Sequence, residues 1–389
     1  MVFLNNLFLG EKDGWFTLRG WEGLFHVDLE TGICECEETV IKENSRKNID
    51  ILFNYKNFIF LLPTGENNII EIYDIQKKQY QCYIRLDPRE KYYFDNAVIS
   101  NDNIFLINNW STNPAIFVLD INKLYIKNKI VMNREILWKY DTPGRLFSKD
   151  IVVKDNIMYL ASSSEHYIIS IDLIEYTIKY IYLPCNLKGF VAMCSNGKDY
   201  WLTDEDALVI KWSLEGIERE FDLKDIIDLD IDLTEEEIKY RNASHGYRGS
   251  YMYFNSSIYK NGSIFWIPGR SGKLIKLDIF SGQFSTIYER PELQGYTSWI
   301  LSPVTENNGI FLFSVREQKL IKIDDDIEII DFKIVLKNNT IIRDGNLMYE
   351  ENYFMSTLVD FIKNNYIDRN FLTHKKDAIG KDIWISLNE

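Results

Sequence analysis

Residues 262–282, GSIFWIPGRSGKLIKLDIFSG, run from a polar turn into an aromatic-rich strand, a polar hairpin loop, a second strand ending apolar-x-apolar, and the turn former Asp278. The phrase is not unique. It recurs as GWFTLRGWEGLFHVDLETG (14–32), NFIFLLPTGENNIIEIYDIQKK (57–78) and DNIFLINNWSTNPAIFVLDINKL (102–124). Three more copies are DNIMYLASSSEHYIISIDLIEY (155–176), GKDYWLTDEDALVIKWSLEG (197–216) and GIFLFSVREQKLIKIDDDIE (309–328). The turn formers Asp28, Asp74, Asp120, Asp172, Ser213, Asp278 and Asp324 are separated by 46, 46, 52, 41, 65 and 46 residues.

A period of about 40–50 residues, with two strands around a hairpin and room for one more on each side, is the spacing of a four-stranded propeller blade. Flanking strands are present: ICECEETV, YQCYIRL, IKYIYLP, IEREFDL and FSTIYE follow the turns, and NAVIS, DIVVK, GFVAM and SWILS precede the next hairpins. Helix-period stretches are absent until the chain end, which argues against an α/β or helical fold. The expectation is an all-β, seven-bladed β-propeller over residues 1–338. The apolar start, residues 2–9, is expected to pair in the last blade or to begin the first, because propellers protect their terminal edges.

Two segments fall outside the repeat. Residues 223–250 form an insertion between blades five and six, and Thr234 with Glu237 has capping-box spacing for a short acidic helix starting near Glu235. Residues 339–389 are read as a helical extension, with Phe354, Leu358, Phe361 and Ile362 on one apolar face that docks on the propeller.

The phrases at 15–32 and 200–216, WFTLRGWEGLFHVDLETG and YWLTDEDALVIKWSLEG, are similar to the blade phrase of streptogramin-lyase-like propellers. That resemblance implies a lyase acting through clustered histidine and glutamate with a magnesium ion on the top face. This chain departs from the pattern, since only His245 falls in a top-face loop.

Composition narrows the function. A net charge of −14 without a basic stripe disfavours nucleic acid as a partner. No apolar run approaches the ~18 residues of a membrane span, and MVFLNNLFLGEK does not read as a secretory signal. Five scattered cysteines suit a reducing cytoplasm. His26, His166, His245 and His374 are too dispersed for a zinc site. Asp228, Asp230 and Asp232 fail as a calcium loop because Leu233 and Lys239 stand where Gly and Glu are required. No phosphate loop, nucleophile elbow or His-Glu-x-x-His helix is present. No cofactor or metal is expected.

Propeller ligands bind where hairpin loops and inter-blade connections converge. The ligand-binding candidates there are Arg19, Trp110, Lys149, Arg248, Arg270 and Trp299. Guanidinium forks and aromatic faces suit an extended, anionic peptide or glycan, or a protein partner bearing one. Taken singly, each arginine is better explained by a carboxylate on the neighbouring blade, and it is the convergence of several that points to a ligand. The alternative is a lyase or isomerase with His245 as acid/base, Tyr247 beside it, and Asp95 or Asp150 as its carboxylate partner.

Overall fold

A computed structural model of the chain describes residues 4–9, 12–18, 24–36, 48–65, 68–140, 143–185, 187, 189–227, 253–269, 271–289, 299–301, 310–314, 319–323, 327–331, 333–334, 342–344 and 347–349. Blade one comprises β1 (Leu4–Leu9), β2 (Asp13–Leu18), β3 (Leu24–Asp28) and β4 (Ile33–Cys36). Blade two comprises β5 (Asn48–Tyr55), β6 (Phe58–Gly65), β7 (Ile69–Asp74) and β8 (Gln79–Arg85). Blade three holds β9 (Tyr92–Ser100), β10 (Asn103–Asn108), β11 (Ala115–Asp120) and β12 (Tyr125–Val131), followed by the one-turn helix α1 (Arg134–Leu137). Blade four holds β13 (Phe147–Lys154), β14 (Ile157–Ser162), β15 (Tyr167–Asp172) and β16 (Ile178–Tyr182). Blade five holds β17 (Ala192–Ser195), β18 (Tyr200–Thr203), β19 (Leu208–Ser213) and β20 (Gly216–Asp222), then α2 (Leu223–Ile227). Blade six is β21 (Phe254–Lys260), β22 (Ser263–Pro268), β23 (Lys273–Asp278) and β24 (Phe284–Glu289). Blade seven is β25 (Trp299–Leu301), β26 (Ile310–Ser314), β27 (Lys319–Ile323) and β28 (Ile327–Asp331). Each blade is an antiparallel meander. First strands of successive blades lie against one another around the channel, as β13 does with β17 and β17 with β21.

The middle strands explain the sequence pattern. Every residue of β10 and of β22 is buried, whereas the outer strand β12 is mostly half-buried or exposed. A middle strand is covered on both faces by neighbouring blades, so it is apolar without alternation. Its two faces still serve different seams, because side chains alternate across a strand. Ile104 and Leu106 pack into the layer shared with blade two, and Phe105 and Ile107 into the layer shared with blade four. Blade five divides the same way, with Tyr200 and Leu202 facing blade four and Trp201 facing blade six.

The recurrent aspartates act as expected. Asp28, Asp74, Asp120, Asp172 and Asp278 each accept the backbone amides two and three residues on through Oδ1, at 2.7–3.0 Å. These bonds favour the charged form, and the carboxyls of Asp28, Asp74, Asp172 and Asp278 lie below their ordinary value chiefly for that reason. At Ser213 the hydroxyl accepts from the Glu215 amide instead, at 3.3 Å. First-to-second strand turns use Asn101-Asp102 and Asp155-Asn156, all four at positive φ, the backbone that two-residue hairpins of this hand require.

The chain start does begin blade one: β1 pairs antiparallel with β2. Closure has a second part not foreseen from the sequence. One residue after β28, the strand β29 (Lys333–Ile334) pairs parallel with β4, adding a fifth strand to blade one and strapping the last blade to the first. Beyond it, β30 (Ile342–Asp344) and β31 (Leu347–Tyr349) form a hairpin within the stretch read as helical extension. Residues 354–362, with the expected apolar helix face, lie outside the described residues, as does most of the 223–250 insertion.

Gly189, between blades four and five, has φ +109°, and a Cβ there would fall 2.4 Å from the carbonyl oxygen of Ser163. Both the φ and the backbone clash oppose any side chain. Gly189→Ala is therefore expected to cost on the order of 2–4 kcal/mol, read as a lowered urea midpoint with an unchanged m-value.

Candidate functional site

The top of the propeller is the end where second-to-third strand hairpins and blade-to-blade connections meet. Among the described residues, the seam between blades three and four brings several of its polar and aromatic side chains together. Asp95, on β9, takes a two-pronged ion pair from Arg145, with Nε to Oδ2 at 2.9 Å and Nη2 to Oδ1 at 3.0 Å. Asn109, at the end of the blade-three hairpin strand, is 1% exposed. Its Nδ2 donates to Asp95 at 2.7 Å and to the Phe147 carbonyl at 3.0 Å, and its Oδ1 accepts the amides of Leu146 and Phe147 at 2.8 and 2.7 Å. Every hydrogen-bonding position of that amide is used. Ser163 adds a hydroxyl bond to the Arg145 carbonyl at 2.6 Å.

Next to Asn109 in the chain, the half-buried indole of Trp110 stacks on Tyr93, with centroids 4.5 Å apart and planes 23° from parallel. Tyr93 is held in turn, its amide donating to Asn108 Oδ1 at 2.6 Å. Lys149 is exposed at the start of blade four, and its carbonyl accepts from Asn96 of blade three at 2.9 Å.

Asp150 occupies the channel. Its Oδ2 accepts the Met193 amide of blade five at 2.9 Å and the Ser257 amide of blade six at 3.0 Å, while Oδ1 accepts the Ser256 hydroxyl at 2.5 Å. Enclosure by the channel walls pushes its carboxyl up to about 6, against the lowering effect of these bonds and of Lys149. Its side chain is nonetheless only half-buried, so channel water reaches it and limits the energetic weight of the shift. Beside it, burial holds the Cys194 thiol up at about 12, which leaves it protonated and unreactive. A second raised carboxyl, Asp204, sits 3% exposed in the blade-five hairpin, where Oδ1 accepts the amides of Asp206 and Leu208 at 2.9 Å. Burial first, then the charges of Asp206 and Glu205, bring it to about 7.

Of the residues singled out from sequence, the structure gathers Asp95, Trp110, Lys149 and Asp150 on adjoining blades. Trp299 begins β25, where its backbone pairs with Ser314. Arg19, Arg270, His245, Tyr247 and Arg248 lie outside the described residues. The start of the insertion and the chain three residues past it are held at the top: the Leu223 amide donates to Ala207 O at 3.0 Å, and Tyr253 bonds Glu205, Gly269 and Ser271 through its backbone. Two histidines have other roles, His26 paired with Asp13 at 3.1 Å and His166 stacked near Tyr182. Asn109 and Arg145 organise the seam and were not singled out together, since their partners come from 14 to 50 residues away. Among the described residues no group of three His, Cys, Asp or Glu could hold a metal ion.

This geometry defines a seven-bladed β-propeller whose top face carries an ordered aromatic and ionic seam. No protein-family model matches the chain, and no curated protein matches it. Solved structures do. The computationally designed Ika8 protein is similar at TM-score 0.52 and 11% identity, over 90% of this chain and 96% of its own. Hsv2 of Kluyveromyces lactis is similar at TM-score 0.52 and 9% identity, over 86% of this chain and 100% of that one. A chain of a mitotic checkpoint complex is similar at TM-score 0.52 and 10% identity, covering 84% and 86%. At such identities the likeness is one of fold.

Asp150 supplies a pH test. Its carboxyl is higher in the folded state than the ordinary 3.8, so the folded chain holds this proton more tightly and stability is lost as pH rises from about 4 through about 6. Asp150→Asn is neutral like the protonated form: its amide oxygen can accept the Met193 and Ser257 amides, and its NH2 can donate to the Ser256 hydroxyl, which reverses that one bond. Its thermal stability relative to the parent should therefore grow with pH across that window, by on the order of 1–2 kcal/mol, with no such growth if the carboxylate is fully hydrated.

Proposed function

We propose that the chain is a partner-binding propeller that captures an extended peptide segment of another protein across its channel mouth. The observation that carries this reading is the half-buried Trp110–Tyr93 stack, next in the chain to the fully hydrogen-bonded Asn109. A rigid aromatic pair loses little entropy when covered and offers a large apolar contact, which is how binding anchors work. A related propeller crystallised within a mitotic checkpoint complex is consistent with use of this fold in assemblies.

The sign of the ligand is part of the proposal. Arg145 is engaged by Asp95 and Lys139 by Glu165 at 2.7 Å; anionic character in the ligand would call on the cations read from the sequence, Arg19, Lys149, Arg248 and Arg270. The aromatic pair is the anchor in either case, and a glycan stacked on Trp110 would use the same surface. The cytoplasmic location belongs to the same proposal and rests on the scattered cysteines, of which Cys34, Cys185 and Cys194 form no disulfide.

One observation favours a second, enzymatic reading along the lines of the lyase resemblance. A carboxyl held near neutrality in the channel is suited to proton transfer, and Asp150 would then serve His245.

The two readings separate experimentally. On an array of random twelve-residue peptides, Trp110→Ala should weaken the bound set by about thirtyfold, the effect of losing one interfacial anchor, while Asp150→Asn leaves it bound. Equal binding by wild type and Trp110→Ala would remove the top-face anchor. Loss with Asp150→Asn alone would favour the enzymatic reading.

A further inference from the structure

A second surface lies away from the channel, on the rim between blades four and five. A groove of about 670 Å3 is bounded by Ile181 and Pro184 at the end of β16 and by Leu214 and Ile217 around the outer turn of blade five. Its floor is Trp212, 3% exposed, which rests on Tyr200 at 4.9 Å, itself on Tyr159 at 5.2 Å. That ladder makes the floor rigid. The mouth is apolar and open to water, with Tyr182 58% and Leu214 65% exposed. Large apolar groups left in water beside a concave surface mark an interaction site more often than a monomer surface.

Charge identifies the occupant. The ionisable side chains lining the groove besides Tyr182 are the carboxylates Glu215 and Glu220. Both are exposed, and no ion pair involves either among the described residues, whereas neighbouring Glu218 is held by Lys211 at 2.6 Å. The strand that carries Glu220, β20, is the outermost of its blade, so its outward backbone edge has no neighbouring strand among the described residues and can accept an extended segment.

We propose that this rim groove docks a linear segment of a partner protein in which a large apolar side chain is flanked by lysine or arginine. The apolar group enters between Tyr182 and Leu214 over Trp212, and the flanking cations meet Glu215 and Glu220. This site is separate from the channel mouth and does not depend on it.

The probes are fluorescein-labelled peptides on one glycine-serine frame, each with a central phenylalanine flanked by two lysines, two serines or two glutamates, titrated by anisotropy against the full chain. The lysine form should bind tightest, by about tenfold over the glutamate form, as expected for two surface charge contacts. Glu215→Lys with Glu220→Lys should reverse that order. Leu214→Ser should weaken the lysine form about fivefold through lost apolar contact. All three positions are exposed, so the variants are expected to fold, and circular dichroism checks this. Absence of saturable binding overturns the proposal. So does a lysine preference that survives the double reversal, which would show diffuse attraction to an acidic protein, or indifference to Leu214→Ser.

Discussion

A sheet edge must find partners for its amides, and a ring of blades turns its innermost edges toward one channel. In this chain side chains of one blade satisfy the inner edge of the next. Asn96 of blade three bonds the Lys149 carbonyl of blade four, and Asp150 of blade four bonds the Met193 and Ser257 amides of blades five and six. These bonds set the rotation of each blade about its neighbour, and the apolar layers between blades then pack in a single register. A carboxylate is well chosen for the position reaching two blades, because it has acceptor capacity for two amides and a hydroxyl at once. The cost is a charge enclosed by protein, which is why Asp150 holds its proton to a higher pH than an ordinary aspartate.

The same economy shapes the top face. Polar groups that look available in a list of loop residues are committed to joining blades: Arg145 to Asp95, Asn109 to both Asp95 and the start of β13, Lys139 to Glu165. What the seam leaves presented outward is an aromatic surface, Trp110 on Tyr93. An ionic pair and a saturated amide thus join blades three and four beside that stack. The rim groove follows a similar logic. Tyr159, Tyr200 and Trp212 fill the layer between blades four and five, and the outer end of that ladder meets water as a concave wall.

Much of this was legible in the sequence because it is local. The repeated phrase ending in Asp28, Asp74, Asp120, Asp172 or Asp278 encodes a turn whose bonds span two or three residues, and it is visible without any knowledge of the fold. The apolar run of β10 announces a strand covered on both sides. Of the residues proposed from sequence for the channel mouth, Asp95, Trp110, Lys149 and Asp150 lie on adjoining blades, with Asp95, Lys149 and Asp150 on the first strands β9 and β13 rather than in the connections between blades.

The sequence by itself therefore determined the number of blades and their strand order. Only the tertiary structure decided which of the residues proposed for the channel mouth are engaged. That Asp150 joins three blades, that Asn109 saturates four bonds, and that β29 straps blade seven to blade one are contacts between segments tens to hundreds of residues apart. A strand or turn records its own hydrogen bonds in its residues. A bond between blades is recorded in neither partner alone, because it depends on the angle at which closed and packed sheets bring two edges together.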